Sequence, residues 1–179
     1  MKKIRIKNKN FTLSVTSDVI MTGIDSIAKR MNRELKGKNP VFLCVLNGSF
    51  MFAADLLKRI HVDCNISFIK LASYSGTSST GEVRTLVGLD ENIHNRTVVI
   101  LEDIIDTGNT IEILTKQLET YSPAEVKIAT LLFKPDAYQK KIPIDYIALK
   151  VPNDFLIGYG LDYDGLGRNL TGIYKTSDK

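Results

Sequence analysis

Between residues 97 and 133 the chain changes its hydrophobic period twice within a span that few architectures accommodate. "TVVIL" (97–101) is a short, uniformly apolar run, and "TIEILTKQLETY" (110–121) continues as a helix. Pro123 breaks the chain, and "EVKIATLLF" (125–133) is a second apolar run. Two strands without polar alternation need cover on both faces, which the crossover helix of a parallel sheet provides. The same order appears upstream. "VFLCVL" (41–46) is followed by the polar turn "NGS" and the helical "FMFAADLLKRI", and Ile20, Ile24, Ile27, Met31 and Leu35 mark an amphipathic helix between Ser17 and Gly37. "DYIALKV" and "DFLIGYGL" read as further short strands of the same sheet. The expectation is an α/β domain, a mainly parallel sheet flanked by helices on both faces. At 179 residues it forms one domain (1–179), with no repeat and no linker.

Composition narrows the class. Hydrophobic residues make up 44% and charged residues 25%, and no apolar run approaches the roughly 20 residues of a membrane helix. "MKKIRIKNKNF" lacks the apolar stretch of a secretory signal, so a cytosolic protein is expected. Cys44 and Cys64 are too few to staple a small secreted domain and read as buried free thiols. A net charge of +4 suits a polyanionic ligand without establishing nucleic-acid binding, and Lys2, Lys3, Arg5, Lys7 and Lys9 read as a solvated face. His61 and His94 lie in polar stretches and read as surface residues.

In open α/β sheets ligands bind beyond the carboxyl ends of the strands, which directs attention to residues 102–110, read as a strand-to-helix turn. "DTGNT" can aim backbone N–H groups and the Thr107 and Thr110 hydroxyls at one point, where the helix dipole also favours an anion. Glu102 and Asp103 suit a pair of sugar hydroxyls or a Mg²⁺ ion, and Asp106 faces whatever reacts beside the sugar. The plainer reading of such acids is helix capping. "SGTSSTGE" has no core-forming residue and reads as a surface loop. There is no G-x-x-x-x-G-K-[ST], "GYGLDYDG" lacks the third glycine of a dinucleotide fingerprint, and the "DTG" of aspartic proteases belongs to an all-β scaffold.

"VVILEDIIDTGNT" closely resembles the phosphoribosyl pyrophosphate (PRPP) signature of type I phosphoribosyltransferases, in the form of their hypoxanthine-guanine branch. The resemblance covers roughly residues 40–170 and includes "LNGSFMFAADL", "SYSGTSSTG", "LLFKPD" and "DFLIGYGLDYDGLGR". It implies a core at about 15–150 and a C-terminal purine-binding hood at about 151–179. It further implies that Asp106, Thr107, Gly108, Asn109 and Thr110 hold the 5′-phosphate. Glu102 and Asp103 contact the ribose hydroxyls and a Mg²⁺ ion, and Asp106 takes a proton from purine N7. Lys134 donates to O6, Phe155 stacks on the base, and Leu156 with its neighbouring backbone reads the base edge. Asp162 holds a second Mg²⁺ through water, and Arg168 pairs with pyrophosphate, as do Asn47 and Gly48 beside a cis peptide. Ser73 and Tyr74 close over the site. Many relatives carry a basic residue where this chain has Asn47, which puts the strength of pyrophosphate binding or subunit contacts in question. The implied activity is phosphoribosyl transfer to hypoxanthine or guanine, by a homodimer or homotetramer. Xanthine as the base, or an RNA-binding regulator of the same fold, are the alternatives.

Overall fold

The computed structural model describes residues 3–73, 83–87 and 91–177, the side chains of 71–73 and 83–87 excepted. Strands β1 (Lys3–Ile6) and β2 (Lys9–Val15) precede helix α1 (Ser17–Glu34), β3 (Val41–Leu46) and α2 (Phe50–Leu57). Then come β4 (Asn65–Ser73), β5 (Val83–Val87), β6 (Thr97–Ile105), α3 (Asn109–Glu119), β7 (Glu125–Phe133), β8 (Tyr146–Lys150), β9 (Leu156–Ile157) and β10 (Ile173–Thr176).

The main sheet has the order β5-β4-β3-β6-β7-β8, parallel except for the antiparallel edge strand β5. Its central strand β3 is apolar throughout because both faces are covered. Phe42, Cys44, Val99 and Leu101 pack with Ile20, Ile24, Ile27 and Met31 of α1 and Phe52 and Leu56 of α2. Val41, Leu43, Val45, Val98 and Ile100 pack against Ile111, Leu114 and Leu118 of α3. Helix α1 takes Thr16 as its extended N-cap rather than Ser17, and the chain leaves it through Gly37 at φ 76°.

Three expectations are corrected. Strand β6 runs through the acidic segment to Ile105, so the turn is confined to Asp106–Gly108. Thr130 and Leu132 of β7 continue to pair with Glu102 and Ile104, so the ladder does not stop where apolarity stops. "DFLIGYGL" is not part of the main sheet. Its Leu156–Ile157 pairs with β10 in a second, antiparallel sheet of order β1-β2-β10-β9. That sheet joins both chain ends into one hood with its own small core of Phe11, Ile157 and Tyr174. The basic N-terminus is therefore not simply a solvated face: Ile4 and Ile6 pack inward, Lys7 pairs with Asp164 at 2.9 Å, and the Lys9 ammonium lies over two aromatic rings.

None of the described helices is long and apolar enough to cross a membrane. Cys44 is buried and its thiol is pushed up to about 12 by burial, while Cys64 is half-buried and raised by burial and by Asp63. Both thiols are free, and His61 and His94 are exposed.

Candidate active site

The carboxyl ends of β3, β6 and β7 open toward one side of the sheet, and the hood rises beside them. The parallel register pairs Ile105 with Phe133, so the next residue on each strand, Asp106 and Lys134, emerges beside the other. Lys134 Nζ donates to Asp106 Oδ2 at 2.8 Å. Lys134 is almost entirely buried, whereas Asp106 keeps 44% of its side chain accessible. A lysine held this deep cannot be a surface residue merely extending its head into water. It is a fixed donor beside an open acceptor.

Past Asp106 the chain turns through Gly108, at φ 88°, into α3. A side chain there is excluded twice, by the left-handed backbone and because a Cβ would lie 2.5 Å from the Tyr138 ring. Tyr138 itself is held by Phe133, edge to face at 5.2 Å, and by its hydroxyl donating to Ile142 O at 2.6 Å. Gln139 N–H donates to Thr107 O at 3.2 Å, closing segment 134–139 around the turn. The first intrahelical bond of α3 is Glu112 N–H to Gly108 O, so the preceding N–H groups have no acceptor within the helix; that of Asn109 lies 3.5 Å from Thr107 Oγ1, beside the exposed Asn109 and Thr110 side chains. Such a helix start suits an anion.

Glu102 and Asp103 lie one strand turn earlier. Burial, then the charge of Asp103, raises the Glu102 carboxyl well above the usual range. Burial also raises Asp103, against the Ile104 N–H at 2.9 Å and the charge of Arg168, which favour its ionised form. The Asp103 carboxylate covers Gly48, where a Cβ would come within 1.6 Å of Oδ2. The Leu46–Asn47 peptide beside it is cis, and Asn47 is exposed.

From the hood, Arg168 donates through Nη1 to Gly160 O and pairs through Nη2 with Asp162 Oδ1, each at 2.6 Å. The other Asp162 oxygen accepts from Gly165 N–H, so this carboxylate is occupied by protein donors. Phe155 is 43% exposed and is not a core residue. Tyr163 meets its ring edge-on at 5.8 Å, and Lys9 Nζ lies 5.0 Å from its centroid. Leu156 is buried in the main core, leaving only its backbone to face a ligand. The Tyr74 assignment and the side chain of Ser73 lie outside the described residues, as does "SGTSSTG". A cavity of about 600 Å³ between α3 and β7 lies away from these strand ends, and its Glu112 and Glu125 are already ion-paired.

Residues 16–164 match the phosphoribosyl transferase domain. The chain belongs to the phosphoribosyl transferase family. It is 41% identical over 159 residues to the hypoxanthine-guanine phosphoribosyltransferase of Streptococcus thermophilus, covering 87% of this chain and 88% of that protein. It is 39% identical over 166 residues to that of Mycobacterium bovis, covering 89% and 82%. A crystal structure of a hypoxanthine-guanine phosphoribosyltransferase from Bacillus anthracis superposes with a TM-score of 0.86 at 33% identity, over 93% of this chain and 97% of that one. A hypoxanthine phosphoribosyltransferase from Staphylococcus aureus gives 0.87 at 37% identity, over 92% and 90%.

Within this phosphoribosyl transferase site, the sequence did not single out Tyr138 behind the phosphate turn, nor Lys9 and Tyr163 around Phe155. Tyr138 lies in "KPDAYQKK", where nothing announces a contact to a glycine thirty residues earlier. For Lys9 there is no local signal at all, since its aromatic partners come from the opposite chain end.

Proposed function

We propose that the chain transfers the 5-phosphoribosyl group of PRPP to N9 of hypoxanthine or guanine, giving IMP or GMP and pyrophosphate. The observation that carries this reading is the Lys134–Asp106 pair, a buried donor and an open acceptor 2.8 Å apart, next to an anion-binding helix start. O6 and N7 lie side by side on one edge of a 6-oxopurine: O6 is an acceptor, and in the free base whose N9 is unprotonated N7 carries the proton, a donor matched to Asp106. An ammonium has three protons, so Lys134 can donate to O6 while still holding Asp106. Adenine presents an amino donor at that position and would oppose the ammonium.

The N–H groups at the start of α3, with Thr107 and Thr110, bind the 5′-phosphate. Asp103 and Glu102 face the ribose hydroxyls, and the pyrophosphate extends toward Gly48 and Arg168. Phe155 offers an exposed ring for stacking the purine, with the backbone at Leu156 along its edge. As the C1′–oxygen bond breaks, its electron pair leaves with pyrophosphate and N9 bonds to C1′. The proton on N7 passes to Asp106. Most of the acceleration then comes from orientation and from groups fixed against developing charge.

Glu102 and Asp103 fit a Mg²⁺ ion, because two adjacent carboxyls raised by burial, Glu102 also by the charge of Asp103, gain from a cation. Among the described residues no group of three or more His, Cys, Asp or Glu could hold a metal unaided, and Mg²⁺ characteristically shares its shell with substrate phosphates. When bound, the ion supplies charge neutralisation to the leaving pyrophosphate. A second ion at Asp162 requires release of that carboxylate from Arg168. The same reading makes the protein a single-domain cytosolic enzyme, a homodimer or homotetramer, for which sedimentation of the purified chain is the check.

The test is turnover with PRPP and Mg²⁺ against hypoxanthine, guanine, xanthine and adenine in parallel, with EDTA as control. Magnesium-dependent turnover of hypoxanthine or guanine with adenine silent is expected. No turnover of any base would overturn the reading, and salt-sensitive retention on RNA would then favour a binding role.

A further inference from the structure

Residues Gly158, Tyr159 and Gly160 pass through three consecutive positive φ values of 98°, 49° and 100°. Glycines accept this region freely, but a bulky residue persists in it only where its surroundings fix it. Tyr159 is almost completely buried, and its hydroxyl donates to Asp55 Oδ2 of α2 at 2.5 Å. Its N–H donates to Leu170 O at 2.8 Å, and the next N–H, of Gly160, donates to Arg168 O at 2.9 Å. Burial alone would push the Asp55 carboxyl up, but the Tyr159 hydrogen bond and the charges of Lys58 and Arg59 outweigh it and hold the group low. Asp55 therefore stays an ionised acceptor.

The two ends of this bond lead to opposite walls of the site. Helix α2 starts directly after Asn47, Gly48 and Ser49, so Asp55 is rigidly connected to the Gly48 backbone. On the other side, Gly160 lies so close to that loop that a Cβ would come within 2.0 Å of Gly48 O. Its own carbonyl receives the Arg168 guanidinium at 2.6 Å. A guanidinium binds a diphosphate well only when its fork is held in register with the remaining donors, and small misplacements are costly.

We infer that Tyr159, acting through Asp55, is a positioning residue that sets the gap between the Gly48 backbone and the Arg168 guanidinium, where the diphosphate of PRPP binds. This rests on the phosphoribosyl-transfer reading for the identity of the ligand. Neither residue touches the reacting atoms.

The test titrates inorganic pyrophosphate with Mg²⁺ into the wild type and the Tyr159→Phe, Asp55→Ala, Asp55→Asn and Tyr159→Phe/Asp55→Ala variants by calorimetry. Steady-state constants for PRPP and hypoxanthine are measured alongside. Tyr159→Phe and Asp55→Ala should each weaken pyrophosphate about tenfold. The double variant should be no weaker than either single one, because both remove the same bond. Asp55→Asn keeps an acceptor oxygen and should stay within about twofold of wild type. KM for PRPP should rise with the pyrophosphate dissociation constant while KM for hypoxanthine holds. Unchanged pyrophosphate affinity in Tyr159→Phe, additive losses in the double variant, an equal rise in both KM values, or a wild type that does not bind pyrophosphate would each overturn the inference. Turnover separates the two claims: intact turnover with pyrophosphate affinity unmoved in the variants sinks the inference alone, and pyrophosphate binding that is weakened in the variants as expected, with a wild type that shows no turnover, sinks the reaction alone.

Discussion

On the proposed function, the Lys134–Asp106 ion pair has a modest role in stability and a large one in recognition. Asp106 is nearly half accessible, so water screens the pair and little folding energy follows from it. The ammonium protons not taken by Asp106, however, are buried, and a ligand that covers them without offering an acceptor leaves them unsatisfied, which is costly. Replacing Lys134 by Met keeps the aliphatic stem and removes the donor. We expect kcat/KM for hypoxanthine to fall about 10- to 100-fold, with the constant for PRPP little changed; equal losses for both substrates would contradict a base-selective role. For Asp106→Asn the fall should lie mainly in kcat, about 10²-fold or more, since the proton acceptor is lost while the size is kept. A kcat equal to that of wild type would remove Asp106 from the proton transfer. At this scale the acids were legible, because a run of four aliphatics ending in Glu102 and Asp103 has no packing rationale. The pairing of Asp106 with Lys134 was not, because it depends on the β6–β7 register, which residues 28 positions apart do not encode locally.

At the scale of elements, sequence and structure agree where a strand is covered on both faces. "VFLCVL" and "EVKIATLLF" coincide with β3 and β7 residue for residue, since burial on two sides demands apolarity along all of β3 and along most of the buried second half of β7, and Pro123 marks where β7 can begin. Agreement fails where polar residues are buried within a strand: β6 continues through Glu102 and Asp103, which a reading by hydrophobicity assigns to a turn. It fails again in the hood, whose short strands β1 and β9 take their partners from distant parts of the chain. The phosphate turn gives a prediction at this level. In Gly108→Ala the methyl must enter the Tyr138 ring, 2.5 Å away, from a left-handed backbone. The variant should lose about 1–3 kcal/mol of stability. Its KM for PRPP should rise because the α3 N–H groups lose their aim. Thermal unfolding and steady-state kinetics check both, and a variant with wild-type melting and unaltered KM would show that the turn tolerates the change.

For the whole molecule, the two buried acids at the end of β6 make the unliganded fold carry an electrostatic cost that, on the proposed function, substrate and metal relieve. The sign of the pH dependence follows from the direction of their shifts. Glu102 and Asp103 hold protons more strongly when folded than when unfolded, so between the ordinary carboxyl values, 4.5 and 3.8, and their raised folded values the native state binds more protons. Stability therefore falls as pH rises through that window, opposite to the usual carboxylate, and is greatest on this account below it. Glu102→Gln imitates the protonated acid at every pH. Scanning calorimetry from pH 5 to pH 8 without ligand should show the variant melting increasingly above wild type as pH rises, with the two curves converging toward pH 5. PRPP with Mg²⁺ at a hundredfold excess over Kd should raise the wild-type melting temperature, by about 2.7 kcal/mol in free energy. The Gln variant should gain less, because there is one fewer negative charge for the cation to neutralise. A wild-type curve parallel to that of Glu102→Gln across this range would mean that the acids are ionised and compensated within the protein itself, and would remove the electrostatic reason for placing the metal there.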